Sequence, residues 1–154
     1  MKKSVLVLIT VMAVIGLLAG TGLATGAANN GNGPQMVLSS PVLKIGDPVT
    51  ILGSGFEPGE TVYLVINAGV AGSVDIEYEL EGGVSPVVND VGAFVTAWIP
   101  DRIAARVIAG SRGGPGNGAY TIMATDMDYN TLTTTPIALY EVPKDGSALP
   151  AWAQ

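Results

Sequence analysis

The sequence predicts an all-β fold, a sandwich or barrel of seven to nine short strands, and three observations carry that prediction. Apolar residues recur in short bursts at every second position, as strands with one buried face require. Turn residues punctuate the chain, with 21 Gly and 10 Pro in 154 residues, a supply that long helices do not use. Val, Ile, Thr and Tyr fill the bursts, and these side chains suit a pleated surface.

The chain begins Met1-Lys2-Lys3, continues with an uncharged run from Val5 to Leu18, and then turns to small residues from Ala19 to Ala28. A basic start, an apolar middle and a small-residue end are the parts of a secretory signal. Residues 1–27 are therefore expected as a signal peptide cleaved after Ala27, with cleavage after Ala24 as the neighbouring choice. Retained, the same run would be a membrane anchor near the lower length limit for crossing a bilayer. Residues 28–35, which include Asn29-Asn30-Gly31-Asn32-Gly33, read as a flexible leader. The folded part is expected over 36–142 and a tail without a clear partner over 143–154.

Within that part, Met36–Leu38 reads as a first strand that Pro41–Ile45 extends, and Gly46-Asp47-Pro48 as a turn. Val49–Leu52 and Thr61–Asn67 are strands on either side of the glycine-punctuated loop 53–60. In the second, Val62, Leu64 and Ile66 share a face. Residues 73–81 alternate, with Val74, Ile76, Tyr78 and Leu80 facing one way and Asp75, Glu77, Glu79 and Glu81 the other. That pattern predicts a half-buried strand with a solvated acidic face. Val87-Val88 and Ala93–Ile99 read as a hairpin turning at Asn89-Asp90-Val91-Gly92. Residues 101–109 carry Ile103, Ala104, Val107 and Ile108 at helical spacing, with Asp101 as a cap, so one or two helical turns are expected there. Gly110–Gly118 reads as a mobile loop. Tyr120–Thr125 and Thr131–Val142 form a last hairpin around Asp126–Asn130, and Pro136 predicts an edge or a bulge in its second arm. The expected core is Val49, Ile51, Val62, Leu64, Ile66, Phe94, Tyr120, Ile122, Ala124, Ile137 and Leu139.

Three stretches share a resemblance. Gly53-Ser54-Gly55-Phe56-Glu57-Pro58-Gly59-Glu60-Thr61-Val62, the turn Asn89-Asp90-Val91-Gly92-Ala93-Phe94, and Gly118-Ala119-Tyr120-Thr121-Ile122-Met123-Ala124-Thr125-Asp126 stand in this order. Together they resemble bacterial extracellular immunoglobulin-like domains of the IPT/TIG-like group, over about Pro34 to Val142. The resemblance implies an immunoglobulin-like antiparallel β-sandwich behind the signal peptide. It implies no single activity, since such domains serve as spacers, adhesion modules and accessory domains of enzymes. The chain departs from the pattern at 68–83, an added acidic strand, and at 101–117, a lengthened loop; particular function is expected in those two places.

Composition excludes several classes. The net charge is −6 with Lys2 and Lys3 counted, and −8 without them. Lys44, Arg102, Arg106, Arg112 and Lys144 build no basic stripe, so nucleic acid is not an expected partner. Arg102, Arg106 and Arg112 make a local basic spot. With no Cys there are no disulfides, thiolate metal sites or lipidated cysteine. With no His the commonest general base is missing, so no enzyme is expected.

Three sites are worth naming. Asp126, Asp128 and Asn130 alternate like the start of a calcium-binding loop, although Thr131 stands where glycine belongs and Ile137 where the closing glutamate belongs. They are the candidate metal ligands; no other cofactor is expected, and a hairpin turn favours the same residues for backbone reasons alone. Asp75, Glu77, Glu79 and Glu81 make an acidic ladder. Trp98, Tyr63, Tyr78, Tyr129, Tyr140 and Trp152 are candidates for stacking on sugars, with Trp98 read as core. The expected function is a secreted or cell-surface, non-enzymatic module for adhesion or for interaction with an extracellular protein or glycan. A self-associating subunit of a surface layer or filament, donating its long final strand, and a calcium-stabilised carbohydrate-binding module are the alternatives.

Overall fold

The computed structural model describes residues 33–67, 72–110, 118–143, 147–149 and 151–153. The signal peptide expected at 1–27, its expected cleavage site and most of the expected leader lie outside the described residues, as do Arg112, Lys144 and most of the loop expected at 110–118.

Eight strands occur among the described residues: β1 (Gln35–Leu38), β2 (Val42–Lys44), β3 (Val49–Ser54), β4 (Tyr63–Asn67), β5 (Ser73–Asp75), β6 (Ala93–Trp98), β7 (Gly118–Thr125) and β8 (Thr131–Tyr140). They form a three-stranded sheet in the order β1-β3-β6 and a five-stranded sheet in the order β2-β8-β7-β4-β5. The molecule is thus mostly β-sheet in two sheets, with one α-helix, α1 (Arg102–Gly110), among the described residues. No helix among them is long and apolar enough to cross a membrane.

The first apolar burst divides between the sheets rather than forming one extended strand. β1 pairs antiparallel with β3, whereas β2 pairs parallel with β8, so the fold is not antiparallel throughout. Pro41 marks the crossing point. It has no N–H for a ladder, and its carbonyl accepts the Ala138 N–H at 2.8 Å.

All eleven expected core residues are buried, and they come from both sheets. Trp98, at 0 % exposure, joins them. Ile76 and Leu80, from the apolar side of the alternation at 73–81, and Ala104 and Val107, from the helical spacing at 101–109, are core residues too. Burying each large side chain contributes about 1.5–3 kcal/mol. Two glycines shape one end. Gly59 follows Pro58 at φ 83, within the glycine-punctuated loop, and Glu60 N–H closes a turn there on the Glu57 carbonyl. Gly53 lies against the Phe94 ring, where an added Cβ would fall 2.1 Å from a ring carbon. Phe94 in turn meets buried Phe56 edge to face at 5.2 Å.

Three expected elements differ. Val87-Val88 is not the arm of a hairpin with β6: Val87 bridges to Thr61, Val88 N–H bonds the Glu60 carbonyl, and the ladder partner of β6 is β3. Asn89 accounts for the turn signal, its side-chain oxygen accepting the N–H groups of Val91 and Ala93. β8 is not an edge strand, because it lies between β2 and β7. Pro136 is tolerated because β2 covers only Ala138, Leu139 and Tyr140. Ala138 N–H points away from β7 to Pro41, so the donor missing at Pro136, two residues earlier, faces the same uncovered side. The irregularity of the β7–β8 ladder falls at Ala124/Thr125 instead. The tail is not partnerless either: Trp152 meets Tyr140 edge to face at 5.9 Å.

Candidate functional site

The acidic ladder is not a solvated strand face. β5 ends at Asp75, and the chain then makes two short 3-10 turns, Glu77–Glu79 and Glu81–Gly83. The apolar set is split in consequence: Ile76 and Leu80 are buried, while Tyr78 is 84 % exposed. The change of period from two to about three rotates Glu77 and Glu79 toward the protein. The Asp75 carboxylate accepts the Glu77 N–H at 2.7 Å and starts the first turn. Glu77 accepts both the N–H and the hydroxyl of buried Ser85, at 3.1 and 3.0 Å.

Glu79 reaches furthest. One carboxylate oxygen accepts the indole N–H of Trp98 at 3.1 Å, and the other accepts the Ile103 N–H in the first turn of α1. Its backbone carbonyl accepts the Ile99 N–H, beside an isolated bridge between Leu80 and Trp98. Glu79, not the expected Asp101 side chain, therefore supplies an acceptor at the helix start, where negative charge also favours the helix dipole. The apolar spacing read from the sequence is the packing face of α1: Ala104 and Val107 are buried, and Ile103 and Ile108 pack partly buried against the core. Arg102 and Arg106 lie exposed on its other side.

The turn expected to hold calcium is closed on itself. One Asp126 oxygen accepts the N–H groups of Asp128 and Asn130 at 2.9 and 2.8 Å, and the other accepts the Asn130 side-chain N–H at 2.8 Å. These donors, led by the Asn130 amide, hold the Asp126 carboxyl below its ordinary pKa. Asn130 presents its N–H rather than its oxygen to Asp126, the reverse of what a shared cation needs. Among the described residues no group of three or more His, Cys, Asp or Glu is placed to hold a metal ion.

The same turn builds an aromatic ledge. Tyr129 is 63 % exposed, and it has the only positive φ (61°) of a non-glycine residue among the described residues. Its ring lies 6.1 Å from that of Tyr63, the planes inclined by 38°. Tyr63 alternates with inward-facing Leu64 and Ile66, so it lies on the outer face of the five-stranded sheet. Of the other aromatic candidates, Trp98 is core, Tyr78 projects from a 3-10 turn, and Tyr140 and Trp152 pair with each other.

The outer face of the three-stranded sheet is a third feature. Val37, Leu52 and Val95 stand side by side across β1, β3 and β6. Val37 is 59 % exposed and Val95 48 %. The rows beside them are Gln35, Ser54 and Ala93, and Thr50 and Ala97. No position of this face carries a charge. Sequence alternation alone identifies these side chains as outward, but only the register shows that they form one surface.

No family model matches the sequence, and no curated protein matches it. Among solved structures, the chain is similar to the alkylpurine DNA glycosylase AlkC of Pseudomonas fluorescens, bound to DNA containing an abasic-site analog. The identity is 10 %, the TM-score 0.35, and the match covers 69 % of this chain and 30 % of that one. That neighbour is a DNA-bound enzyme, unlike the non-enzymatic adhesion or interaction module expected from the sequence. At this TM-score the likeness itself carries no activity to the chain.

Proposed function

We propose that this chain is exported through its amino-terminal signal and works as a closed pair, two copies meeting through the outer faces of their three-stranded sheets. One observation carries the reading: that face is partly apolar and free of charge in a chain of net charge −6. A two-fold interface brings each patch against its own copy, so a patch of one charge sign repels itself. An uncharged face has no such cost, and the Val37-Leu52-Val95 row supplies apolar area to bury.

The pair replaces the open surface layer or filament considered above, because the strand expected to be donated is internal. An immunoglobulin-like sandwich is part of the same proposal, supported by the two sheets around a shared core and by the three resembling segments. The test is light scattering after size exclusion across a concentration series. The expected species has twice the chain mass, and Val95→Glu returns it to single chains. A wild-type chain that stays single at the highest concentration overturns the reading.

A further inference from the structure

The tyrosine ledge lies on the outer face of the five-stranded sheet, opposite the proposed pairing surface, and calls for a separate explanation. Left-handed backbone is disfavoured for a bulky side chain, and glycine or asparagine would occupy position 129 with less strain. Tyr129 recovers little burial in return, being 63 % exposed. The turn is nonetheless held by Asp126 through three side-chain hydrogen bonds, and further by the Tyr129 N–H on the Asp126 carbonyl and the Asp126 N–H on the Asn130 carbonyl. A strained residue kept in place by its surroundings, with its ring presented to solvent, directs attention to what the ring contacts.

The chemistry of the ledge selects the ligand. Two ring centroids 6.1 Å apart allow one cation to lie within about 6 Å of both, the range in which ring faces attract positive charge. Asp126 and Asp128 add two negative charges in the same five-residue turn, and the chain as a whole is acidic. An anion is repelled there, and the Asp126 oxygens that a sugar hydroxyl would seek already accept the N–H groups of the turn. We propose that Tyr63 and Tyr129 form a binding site for a small quaternary ammonium ion such as choline, the ring faces supplying contact and Asp126 and Asp128 supplying the field. Such an ion has no N–H to donate, so it does not need the Asp126 oxygens that the turn already occupies.

The test is a nuclear magnetic resonance titration of the full chain with choline chloride at fixed ionic strength. A parallel titration uses 3,3-dimethylbutan-1-ol, the neutral carbon isostere, and a third uses glucose. Choline is expected to shift the resonances of Tyr63, Asp128 and Tyr129 saturably, and the neutral isostere to bind about tenfold more weakly or not at all. Tyr129→Ala is expected to weaken choline by about tenfold, while Tyr129→Phe keeps it, because the ring face rather than the hydroxyl makes the contact. Amide shifts outside the turn that match the wild type confirm that Tyr129→Ala is folded. Absence of saturable choline shifts, equal binding of isostere and choline, a response to glucose alone, or wild-type affinity in Tyr129→Ala each overturns the proposal. None of these readouts depends on whether the chain pairs.

Discussion

Residues 75–81 and 126–130 both alternate carboxylates with other side chains, yet the first segment reaches across the molecule and the second closes on itself. Glu77 and Glu79 bond residues 8, 19 and 24 positions away. The Asp126 carboxylate bonds only residues 2 and 4 positions away. The difference lies in the neighbours. Ile76 and Leu80 must be buried, and a 3-10 path that buries both carries Glu77 to the Ser85 donors and Glu79 to donors on β6 and α1. The residues that follow Asp126, from Met127 to Asn130, are exposed, so its donors are the N–H groups of its own turn. A carboxylate's use is set by what its apolar neighbours require, not by its spacing from other carboxylates.

The sharpest way to break this comparison is Glu79→Ala. It strands the indole N–H of fully buried Trp98 and removes an acceptor from the start of α1, so stability should fall by about 2–4 kcal/mol. The urea midpoint measures it, and a loss no larger than that of an exposed Glu81→Ala control would refute the long-range role. Glu77→Ala should cost less, about 1–2 kcal/mol, since it strands the Ser85 donors alone. Tyr129→Gly acts in the opposite direction. Relief of the left-handed backbone should raise stability by up to about 1 kcal/mol, read as a higher melting temperature, and unchanged or lower stability would remove the strain argument.

Asp126→Asn should have the smallest effect, and it should depend on pH. Hydrogen bonds hold the Asp126 carboxyl below its ordinary value in the folded state. Its contribution is therefore present above the unfolded-chain pKa of about 3.9 and is lost as pH falls through the lower folded value. Melting temperatures of wild type and Asp126→Asn should differ at pH 7 and converge below pH 4. Calcium at pH 7 should leave the wild-type melting temperature unchanged, because the turn already occupies both Asp126 oxygens.

The inward faces of β3, β4, β7 and β8 were legible because each keeps one period, and their apolar residues at alternate positions are the core that is found. The face of α1 was legible for the same reason at a different period. Residues 76–83 were not, because alternation that looked like a strand spans two 3-10 turns, and a local pattern does not show that Glu79 lies beside Trp98. The β8 position was missed because Pro136 signals a missing donor, and only the shortness of β2 shows where that donor would have pointed. Of the two proposed surfaces, Tyr63 and Tyr129 stood out singly in the sequence, but their adjacency, like that of Val37, Leu52 and Val95, depends on register and on the fold of a turn.

The contact between Gly53 and Phe94 bears on how this chain can vary. The two residues face each other across β3 and β6, and the ring fills the volume that a side chain at 53 would need. Neither position is free to drift alone. Sequences that keep this corner should covary, a larger residue at 53 appearing only with a smaller one at 94, and a paired exchange should be tolerated where either single change is not.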